Sequence, residues 1–530
     1  MWRSILSSLC VVALAAQQKD DAARPDPARE FFAKGPVVRV ELTLEAADRE
    51  KLRKEPRAYV PATVRIDGGA PWAKVGVKLK GAAGSFREVD DHPGFTVHLA
   101  KFGGTESLHG LVRFHLNNGA QDDSRLSEWL GNEVFSAANL PAPRVAHARV
   151  SLDGAELGLY VLREAFDGRF LQRTFGNTNG NLYDGGFCQD VDQDLEKDSG
   201  DGSDGHEDLH RLRALCEGVD RERATPLSRA IDVDAFLDFC ALEALLGHWD
   251  GYSQNRNNYR LWCPTNGRVQ FLPHGMDQLL GEAEASVLEY PTAIVASAVM
   301  QQPAFRKKYR ERLKALLPLL DPKKLGPRID TKGEQLAKVM QPFDRDAAQH
   351  LEEAAHDLVQ RLEARYAFLV EQVRAPEPKP MQFTGDKPIA LRKWRPAAET
   401  DEIVLSKKAH ESSPSLFIAC GKRGDEPRHG AWRTTVLLAQ GTYRVTARAR
   451  CEKVTAPSKE AGGEEHGGVT VRGGDGASMR IVGDSDWRTI TCEFEVTEFQ
   501  RSVELSLDLR AMTGKAWFRT DSLQISRVAK

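Results

Sequence analysis

A proline-rich segment, Ala375-Pro376-Glu377-Pro378-Lys379-Pro380, divides the chain into two stretches that differ in hydrophobic periodicity. From Asp232 to about Arg374 apolar residues recur at helical spacing, whereas the residues after the segment form short alternating runs between Gly and Asp turns. Closely spaced prolines favour an extended, semi-rigid linker. The sequence therefore predicts separate domains on either side of a linker at residues 375–385. Residues 386–530 are expected to form an all-β jelly roll or sandwich.

The part before the linker mixes strands and helices. Residues 37–44 alternate in the manner of a half-buried strand, and Asp153-Gly154 predicts the turn of a hairpin. Residues 124–139 carry apolar side chains at helical spacing and are followed by a helix-stopping proline. A Gly- and Asp-rich stretch between residues 184 and 210 is predicted to be a loop outside the core. The predicted fold class of residues 36–374 is therefore α+β.

The N-terminus has the layout of a secretory signal peptide. An apolar run from Ile5 to Ala16 ends in small residues and is followed by charged ones, as signal peptides require. We expect residues 1–16 to be the signal peptide and residues 17–35 to be a spacer. The protein should then be secreted or act in the cell envelope or periplasm. The run is too short for a stable anchor, and no membrane span is expected elsewhere.

Composition argues against two classes of partner. The chain is 41% hydrophobic and 28% charged, with a formal net charge of -3. It has no basic run of the kind that nucleic acids or anionic membranes attract, so no nucleic-acid partner is expected. Its eight cysteines include no C-x-x-C pair, which argues against a thiolate zinc site. At most one disulfide is expected, among Cys420, Cys451 and Cys492, and the other cysteines should be buried thiols.

Two motifs carry most of the chemical information. In the first, H-W-D-G-Y-S-Q-N-R-N-N-Y, Asp250 is followed by Asn255 and Asn258; in the second, F-L-P-H-G-M-D-Q, Asp277 follows a hydrophobic run. Phosphoryl-transfer sites place one Asp at the acceptor hydroxyl, and an Asn and a second Asp on metal ions. The spacing from Asp250 to Asn255 fits that arrangement. A turn whose Asp and Asn side chains bond local backbone has the same composition and is the alternative.

Further motifs extend this pattern. Together with the two Asp motifs, their order makes residues 37–374 resemble the spore-coat CotH kinase family. The resemblance implies an atypical protein-kinase-like, two-lobed domain at residues 36–374. Such a domain transfers phosphate from ATP to a Ser or Thr hydroxyl of an extracytoplasmic protein and requires Mg²⁺ or Mn²⁺. The motifs are V-G-V-K-L-K-G at residues 75–81, Gly84-Ser85, G-A-E-L-G-L-Y-V-L-R-E at residues 154–164 and G-N-L-Y at residues 180–183.

The resemblance also implies roles for individual residues. Asp250 is expected to be the catalytic Asp, and Asp277 to bind the metal together with either Asn255 or Asn258. A helix Glu should hold the phosphate-binding cation, with Glu133 as first choice and Glu128 as second. The residues expected to contact the nucleotide are Lys80, Gly81, Ser85, Arg87, Lys101, Glu133 and Glu164.

Two positions depart from the family pattern. His98 stands where the family tends to have Lys, and Gly275 stands where it commonly has Asp. A neutral imidazole does not replace a permanent cation, although Lys78, Lys80 or Lys101 could reach the phosphates instead. The loss of one carboxylate leaves metal binding to Asp277. The first alternative function is therefore a catalytically weak or inactive kinase-fold scaffold of an envelope or secreted assembly.

A second alternative comes from an H-E-x-x-H pattern. His206, Glu207 and His210 have the spacing at which zinc hydrolases bind the metal and activate water. The pattern lies at the start of a predicted helix, just after the Gly- and Asp-rich loop, and no third ligand follows at a fitting distance. This reading predicts a zinc hydrolase but accounts for less of the chain.

The C-terminal domain contains aromatic residues that could stack on sugars. The region loosely resembles carbohydrate-binding jelly rolls, which implies a cell-surface polysaccharide as a second partner. An exposed aromatic ring complements the C–H face of a sugar, but the same residues commonly fill cores. The candidates are Trp432, Tyr443, Trp487 and Trp517.

Overall fold

The computed structural model describes residues 26–217, 224–399, 402–410, 413–421, 427–456 and 467–528. The predicted signal peptide and residues 17–25 of the predicted spacer lie outside these ranges. The chain divides into two compact units, described separately below. The first contains the residues up to Val287 together with Pro291–Ala375, and the second contains Leu288–Tyr290 and the residues from Pro376 onward.

A closed β-barrel forms the N-terminal part of the first unit. Its strand order is β1-β2-β3-β4-β5-β7-β6, and a parallel pairing between β1 and β6 closes it. The other pairings are antiparallel. The strands are β1 (Val37–Thr43), β2 (Val60–Ile66), β3 (Trp72–Lys80), β4 (Gly94–His98), β5 (Arg113–Asn117), β6 (Val145–Leu152) and β7 (Ala155–Glu164).

Alternation along the strands fills the barrel and leaves a polar outer face. Val75, Val77 and Leu79 of β3 point into the hydrophobic core, while Lys78 and Lys80 lie on the opposite face, as the two-residue period of a strand requires. The predicted hairpin is confirmed as β6 and β7, joined at Asp153-Gly154. The barrel therefore has an apolar interior and a row of polar side chains on its outer face.

A second, four-stranded sheet has the order β11-β10-β8-β9. It contains β8 (Gly180–Asp184), β9 (Lys197–Ser199), β10 (Tyr259–Pro264) and β11 (Gln270–Pro273). The stretch predicted as a loop thus contributes strand β9, and Val191 and Leu195 within it are buried. The high Gly and Asp content of this stretch predicted a loop, and the two buried apolar residues within it were not recognised from the sequence.

Helices complete the first unit. The predicted helix near residues 124–139 is present as Ser127–Ala137, and the Asp122 carboxylate accepts a hydrogen bond from the Ser127 N–H (2.8 Å). The described helices are Arg29–Lys34, Ala46–Lys54, Ser127–Ala137, Gly168–Phe175, Glu207–Cys216, Ala224–Ala230, Val233–Leu246, Tyr252–Asn255, Ile294–Met300, Pro303–Leu316, Pro322–Met340 and Arg345–Gln372. The first of these lies within the predicted spacer and buries Phe31 against the barrel core.

The second unit is rich in β-structure. The alternating runs predicted as separate strands lie in two long, bent strands, β16 and β19, whose register shifts at bulges near Gly441 and Cys451. The strands are β12 (Ile389–Ala390), β13 (Arg395–Ala398), β14 (Ile403–His410), β15 (Ser413–Cys420), β16 (Arg428–Thr455), β17 (Gly468–Gly473), β18 (Gly476–Ala477), β19 (Gly483–Ala511), β20 (Thr513–Arg519) and β21 (Gln524–Val528). They enclose one apolar core.

These elements confirm the α+β prediction and the β-rich C-terminal region. The seven described cysteines are free, so the single disulfide considered among Cys420, Cys451 and Cys492 is absent from the described residues. Cys188 is exposed rather than buried. Among the described helices, none has the length and apolar character needed to cross a bilayer.

Candidate functional site

The polar outer face of the barrel forms the floor of a cavity of about 790 Å³. Lys80 from β3, Thr96 from β4 and Arg163 from β7 line it, and Asp250 and Asp277 complete its walls. The alternation of the strands explains this composition, because each of the three barrel residues follows an apolar residue that belongs to the core: Leu79, Phe95 and Leu162. One cavity thus brings together the two Asp motifs and the Lys80 strand.

Lys80 belongs to a short chain of hydrogen bonds at this floor. Its ammonium donates to the Asn117 side-chain oxygen, and the Asn117 amide donates to the Glu128 carboxylate. Glu128 lies in the first turn of the Ser127–Ala137 helix and is 3% exposed. Burial and the neighbouring Arg163 cation lower the pKa of Lys80 to about 7. The ammonium is therefore poorly compensated in the absence of an anion.

Arg163 adds a second, deeply buried cation. Its guanidinium donates to His274 Nε2 (3.0 Å) and lies 3.8 Å from Glu128. Because burial and nearby cations hold the pKa of His274 well below its usual range, that ring is neutral and accepts this bond through Nε2. Lys80 and Arg163 give this end of the cavity the character of an anion site.

Asn side chains hold the Asp250 carboxylate in place. Asn257 and Asn258 donate to Asp250 Oδ2 at 3.0 and 2.8 Å, and Asn255 donates to Oδ1 at 3.4 Å. Asn258 also donates to the Asp250 main-chain oxygen (3.0 Å). A carboxylate bonded in this way has a fixed orientation and retains lone pairs for another donor. The Asn cluster therefore does more than form a turn.

A buried carboxylate anchors the loop that carries Asp250. Glu243 accepts hydrogen bonds from the N–H groups of Tyr252 and Ser253, both at 2.9 Å, and burial raises its pKa to about 7. A side chain at Gly251 would clash with Glu243 Oε1, so the glycine is required there. His248 Nε2 lies 3.1 Å from the His274 carbonyl oxygen and joins this loop to the second motif.

Asp277 lines the same cavity as Asp250, but its carboxylate has different surroundings. Among the residues that the structure describes, no side chain donates a hydrogen bond to its carboxylate. Burial and the nearby Glu128 charge raise the pKa of Asp277 to about 7. A nearby cation would relieve both effects, and Mg²⁺ is commonly bound through one or two carboxylates plus substrate phosphates. The donor set therefore fits a divalent cation held with phosphate oxygens.

Gly275 cannot be replaced by a carboxylate in this conformation. Its φ is +52°, and a Cβ there would clash with Asn258 Oδ1. The family-pattern Asp is thus excluded sterically as well as missing from the sequence. The Asn258 oxygen occupies that space and, among described residues, accepts no hydrogen bond. It is the better placed of the two candidate Asn ligands.

The structure separates the other sequence candidates into two groups. Gly81, Ser85 and Asn255 line the cavity with Lys80, Asp250, Asn258 and Asp277. Arg87, Lys101, Glu133 and Glu164 do not line it, although each was expected to contact the nucleotide.

These four side chains have other partners. Arg87 donates to the carbonyls of residues 84 and 86, and the Lys101 ammonium lies over the Tyr59 ring, 5.0 Å from its centre. Glu133 pairs with Arg328. Glu164 is paired with Arg144 and Arg173 (2.8 and 2.9 Å). Glu128, the second choice from the sequence, is the helix carboxylate at the cavity.

A second cavity of about 630 Å³ shares Asp277, Asp122 and Trp249 with the first. Its remaining lining includes three carboxylates, Asp123, Glu353 and Asp357, together with the cation of Arg361. The indole of Trp249 is 53% exposed and borders both cavities. Asp277 therefore borders both cavities.

The H-E-x-x-H residues do not form a metal centre. His206 Nε2 lies 3.0 Å from the Leu195 carbonyl oxygen, and its ring stacks on Tyr183. His210 instead lies 3.4 Å from Asp194 at the surface. Within the described ranges no three His, Cys, Asp or Glu side chains are grouped so as to hold a metal ion. The zinc-hydrolase alternative is therefore not supported.

Three residues of the site were missed in the sequence. Asn117 and Arg163 could have been noticed as polar residues within apolar strands, and Glu243 as a carboxylate within the apolar helix Val233–Leu246. Each pattern indicates a buried polar group that must have a partner, but neither the partner nor the cavity follows from it.

The sugar-stacking candidates mostly belong to the core of the second unit. Trp432, Tyr443 and Trp517 are buried, whereas Trp487 is half-buried. The buried Trp432 N–H and Tyr443 O–H donate to main-chain oxygens, as core aromatics commonly do. The polysaccharide expectation therefore gains no support from these three rings.

Known proteins similar to this chain were found by sequence and by structure. A family model described as "CotH kinase protein" matches residues 79–372. "Spore coat protein homolog 1" of Rhizopus delemar is 23% identical over 357 residues, which cover 60% of this chain and 56% of that protein. The matched part thus spans little more than half of that relative. "Inner spore coat protein H" of Bacillus subtilis is 20% identical over 298 residues, covering 51% of this chain and 80% of that protein.

Among solved structures, TmCBM61 in complex with β-1,4-galactotriose matches with 12% identity and a TM-score of 0.18. The match covers 27% of this chain and 91% of that one.

Proposed function

The chain belongs to the CotH kinase protein family, and we propose that it transfers a phosphoryl group from ATP to a Ser or Thr hydroxyl of an extracytoplasmic protein. The observation that carries this proposal is the convergence of Lys80, Asp250 and Asp277 on one cavity. Action outside the cytoplasm agrees with the apolar N-terminal run and with the names of the two relatives, an inner spore coat protein and a spore coat protein homolog.

The cationic floor supplies the binding site for the ATP phosphates. Lys80 and Arg163 provide an ammonium and a guanidinium in a largely water-excluded place, where charge-assisted hydrogen bonds are strong. Phosphate binding also restores the charge of Lys80, because an adjacent anion raises the pKa of an ammonium group. The same two cations would stabilise the charge that develops during transfer.

Asp250 acts on the acceptor hydroxyl. Its carboxylate accepts a hydrogen bond from that hydroxyl, directs the oxygen toward the γ-phosphate and takes up the proton as the new O–P bond forms. The bond between the γ-phosphorus and the β,γ-bridging oxygen breaks in the same step, and ADP leaves with that oxygen. The Asn donors hold the carboxylate in one orientation, so little reorganisation is needed at the moment of reaction.

Asp277 and Asn258 are the residues that would hold a divalent cation. When bound, Mg²⁺ or Mn²⁺ would neutralise phosphate charge. Asp277 contributes the negative charge for this, and its raised pKa means that cation binding and proton release are coupled.

The acidic second cavity favours a cationic acceptor segment. Asp357 is paired with Arg361 (2.9 Å), but Asp123 and Glu353 keep the lining negative. A Ser or Thr flanked by Lys or Arg would complement these charges. In this arrangement the residues that flank the acceptor hydroxyl lie in the second cavity and the hydroxyl itself reaches Asp250 in the first, with Asp277 bordering both.

The test is ATP binding followed by phosphate transfer. Thermal unfolding with and without ATP and Mg²⁺ should show a rise in Tm for the wild type, because a ligand that binds only the folded state stabilises it. Lys80→Met should greatly reduce the rise. Lys101→Met removes a cation from the turn after β4, outside the cavity, and should leave the rise in Tm intact. Equal loss in both variants, or no rise in the wild type, would contradict the proposal.

Acceptor preference requires a separate assay. Radiolabelled phosphate should pass from ATP to a Ser peptide flanked by Lys or Arg faster than to the same peptide flanked by Glu. Glu353→Gln should weaken this preference. Its neighbour Glu352 does not line either cavity, so Glu352→Gln is the matched control. A preference unchanged by Glu353→Gln would remove the acceptor from this cavity.

A kinase-fold scaffold is the second candidate, favoured by Gly275. The missing carboxylate leaves Asp277 without a second acidic ligand from its own motif, and Asn258 fills the space where one would lie. A wild-type protein that shows neither a Tm rise with ATP nor phosphate transfer, but still binds a coat or envelope component, would fit this candidate.

A further inference from the structure

We infer that Asn117 is a positioning residue for Lys80, linking it to Glu128 through the two ends of its carboxamide. The inference rests on the proposed function, since it concerns how the phosphate-binding ammonium is held. Asn117 ends strand β5, Lys80 ends strand β3, and Glu128 lies in the first turn of the Ser127–Ala137 helix. Three separate elements are thus fixed to one another at the cavity floor.

The register of the sheet makes the first contact possible. Strand β4 lies between β3 and β5, and the residue of β4 that pairs with Lys80 is Gly94. The next pair along, Phe95 with Leu116, brings Asn117 beside the same glycine. A Cβ on Gly94 would come within 3.2 Å of the Lys80 side chain. The side chain of Lys80 therefore crosses β4 over Gly94, and its ammonium reaches the Asn117 oxygen.

Only a carboxamide suits the middle position. Its oxygen accepts from the Lys80 ammonium while its NH₂ group donates to Glu128. An Asp at 117 would place two carboxylates side by side, and Glu128 is 3% exposed, so water would screen their repulsion poorly. An apolar residue of the same size would leave both charged partners without this bond.

The consequence is an ammonium that is positioned but incompletely neutralised. In protein kinases a Lys on a strand forms an ion pair with a helix Glu. Here the carboxylate is one amide further away, and Glu128 is also near Arg163 (3.8 Å). Lys80 therefore keeps its place, and the single Glu128 carboxylate faces two cations, Lys80 and Arg163, which leaves net positive charge for phosphate.

The test reverses the polarity of the Asn117–Glu128 contact. Asn117→Asp should weaken binding of ATP with Mg²⁺, measured by calorimetry, by about tenfold or more, as for a lost charge-assisted bond. In the double variant Asn117→Asp/Glu128→Gln, Lys80 bonds the carboxylate introduced at position 117, and the amide introduced at position 128 donates to that carboxylate. Binding should then return to within about threefold of the wild type, a difference of less than 1 kcal/mol. Failure of the second change to rescue the first, or unchanged binding in Asn117→Asp, would overturn the inference.

A second measurement covers the case in which Asn117→Asp does not fold. Asn117→Leu should weaken ATP binding in the wild-type background but have no further effect when Lys80 is already replaced in Lys80→Met, because Asn117 acts through Lys80. Additive losses would contradict the inference. Asn132, which lies on the same helix as Glu128, donates to the main-chain oxygen of Pro143 (2.8 Å). Asn132→Asp is therefore the control for a buried Asn, and it should alter Tm without altering the affinity for ATP.

The two proposals fail in distinguishable ways. If the wild type does not bind ATP, the proposed function fails, and the variants then give no information on how Asn117 affects phosphate binding. If the wild type binds ATP and the reversed pair does not recover binding, the proposed function stands and the role of Asn117 is wrong.

Discussion

Asp250 and Asp277 line the same cavity, yet their surroundings are opposite. The Asp250 carboxylate accepts hydrogen bonds from Asn255, Asn257 and Asn258. No side chain among the described residues donates to Asp277, and its pKa is raised to about 7. The protein fixes the orientation of the Asp250 carboxylate. It buries the Asp277 carboxylate without a side-chain donor, and a bound cation would remove the resulting penalty on its charge.

The difference teaches that the two motifs are prepared for different kinds of partner. An oriented carboxylate with remaining lone pairs suits a neutral hydroxyl, which brings one proton and no net charge. A carboxylate without a donor, beside the buried charge of Glu128, suits a cation. Substitutions at the two positions should therefore affect different measurements.

The largest effect is expected for Asp250→Asn. Phosphate transfer should fall about 10³-fold, because a general base of this kind contributes between about 10² and 10⁴, whereas the affinity for ATP with Mg²⁺ should change less than about threefold. Single-turnover transfer and calorimetry measure the two quantities. A parallel loss of ATP affinity would show that Asp250 also serves the nucleotide and would remove the contrast with Asp277.

Asp277→Asn should act mainly on binding. Without its charge, the affinity for ATP with Mg²⁺ should fall about 100-fold, close to about 2.7 kcal/mol, while binding of ATP with EDTA present should change little. Asp123→Asn, at the acidic cavity, is the control and should leave both affinities unchanged. Equal losses with and without Mg²⁺ would mean that Asp277 does not hold the cation.

A smaller effect is expected for Gly275→Ala. The left-handed backbone and the approach of Asn258 should together reduce the free energy of unfolding by about 1–3 kcal/mol. Because Asn258 also donates to Asp250, its displacement should slow phosphate transfer. Asn258 thus connects the Gly275 motif with the Asp250 motif. Gly168→Ala is the control, because its nearest contact would be an ordinary 3.7 Å. An unchanged Gly275→Ala protein would indicate that Asn258 is not fixed between the motifs.

The smallest effect is the dependence of ATP affinity on pH. As pH falls through about 7, Asp277 takes up a proton and loses its attraction for the cation; as pH rises through about 7, Lys80 loses a proton and its attraction for phosphate. The affinity for ATP with Mg²⁺ should therefore peak near about pH 7 and fall roughly fivefold to tenfold by about pH 5.5 and 8.5.

Two variants show which residue causes the fall in ATP affinity at acid pH and which causes the fall at alkaline pH. Asp277→Asn should flatten the acid limb and Lys80→Met the alkaline limb, as measured by calorimetry across the pH range. A profile that both variants leave unchanged would place the titrating groups elsewhere and would weaken the contrast between Asp250 and Asp277.

The fold could be predicted where periodicity was local. The hairpin at Asp153-Gly154, the helix near Ser127 and the β-rich C-terminal region follow from alternation, turn residues and helical spacing. Closure of the barrel could not be predicted, because the parallel pairing of β1 with β6 joins residues about a hundred positions apart. Strand β9 was missed because Gly and Asp outnumber the two apolar anchors beside it.

The candidate site shows the same limit. Asp250, Asp277 and Lys80 were identified from motifs and lie together at one cavity. Glu133 was preferred over Glu128 from the sequence, but Glu128 is the one that lines the cavity. Both residues lie in the same helix, and their spacing alone does not show which of them faces the cavity. Asn117 carried no motif at all, since its importance depends on Gly94 and on the register of three strands.

The closed barrel has a practical consequence for anyone who shortens this protein. The family match begins at residue 79, but β1, β2 and nearly all of β3 precede it. A fragment trimmed to the match would lose Val40, Val64 and Val77 from the apolar interior and would expose β4 and β6 as unpaired edges. Such edges recruit other chains, so a minimal soluble fragment has to start before Val37.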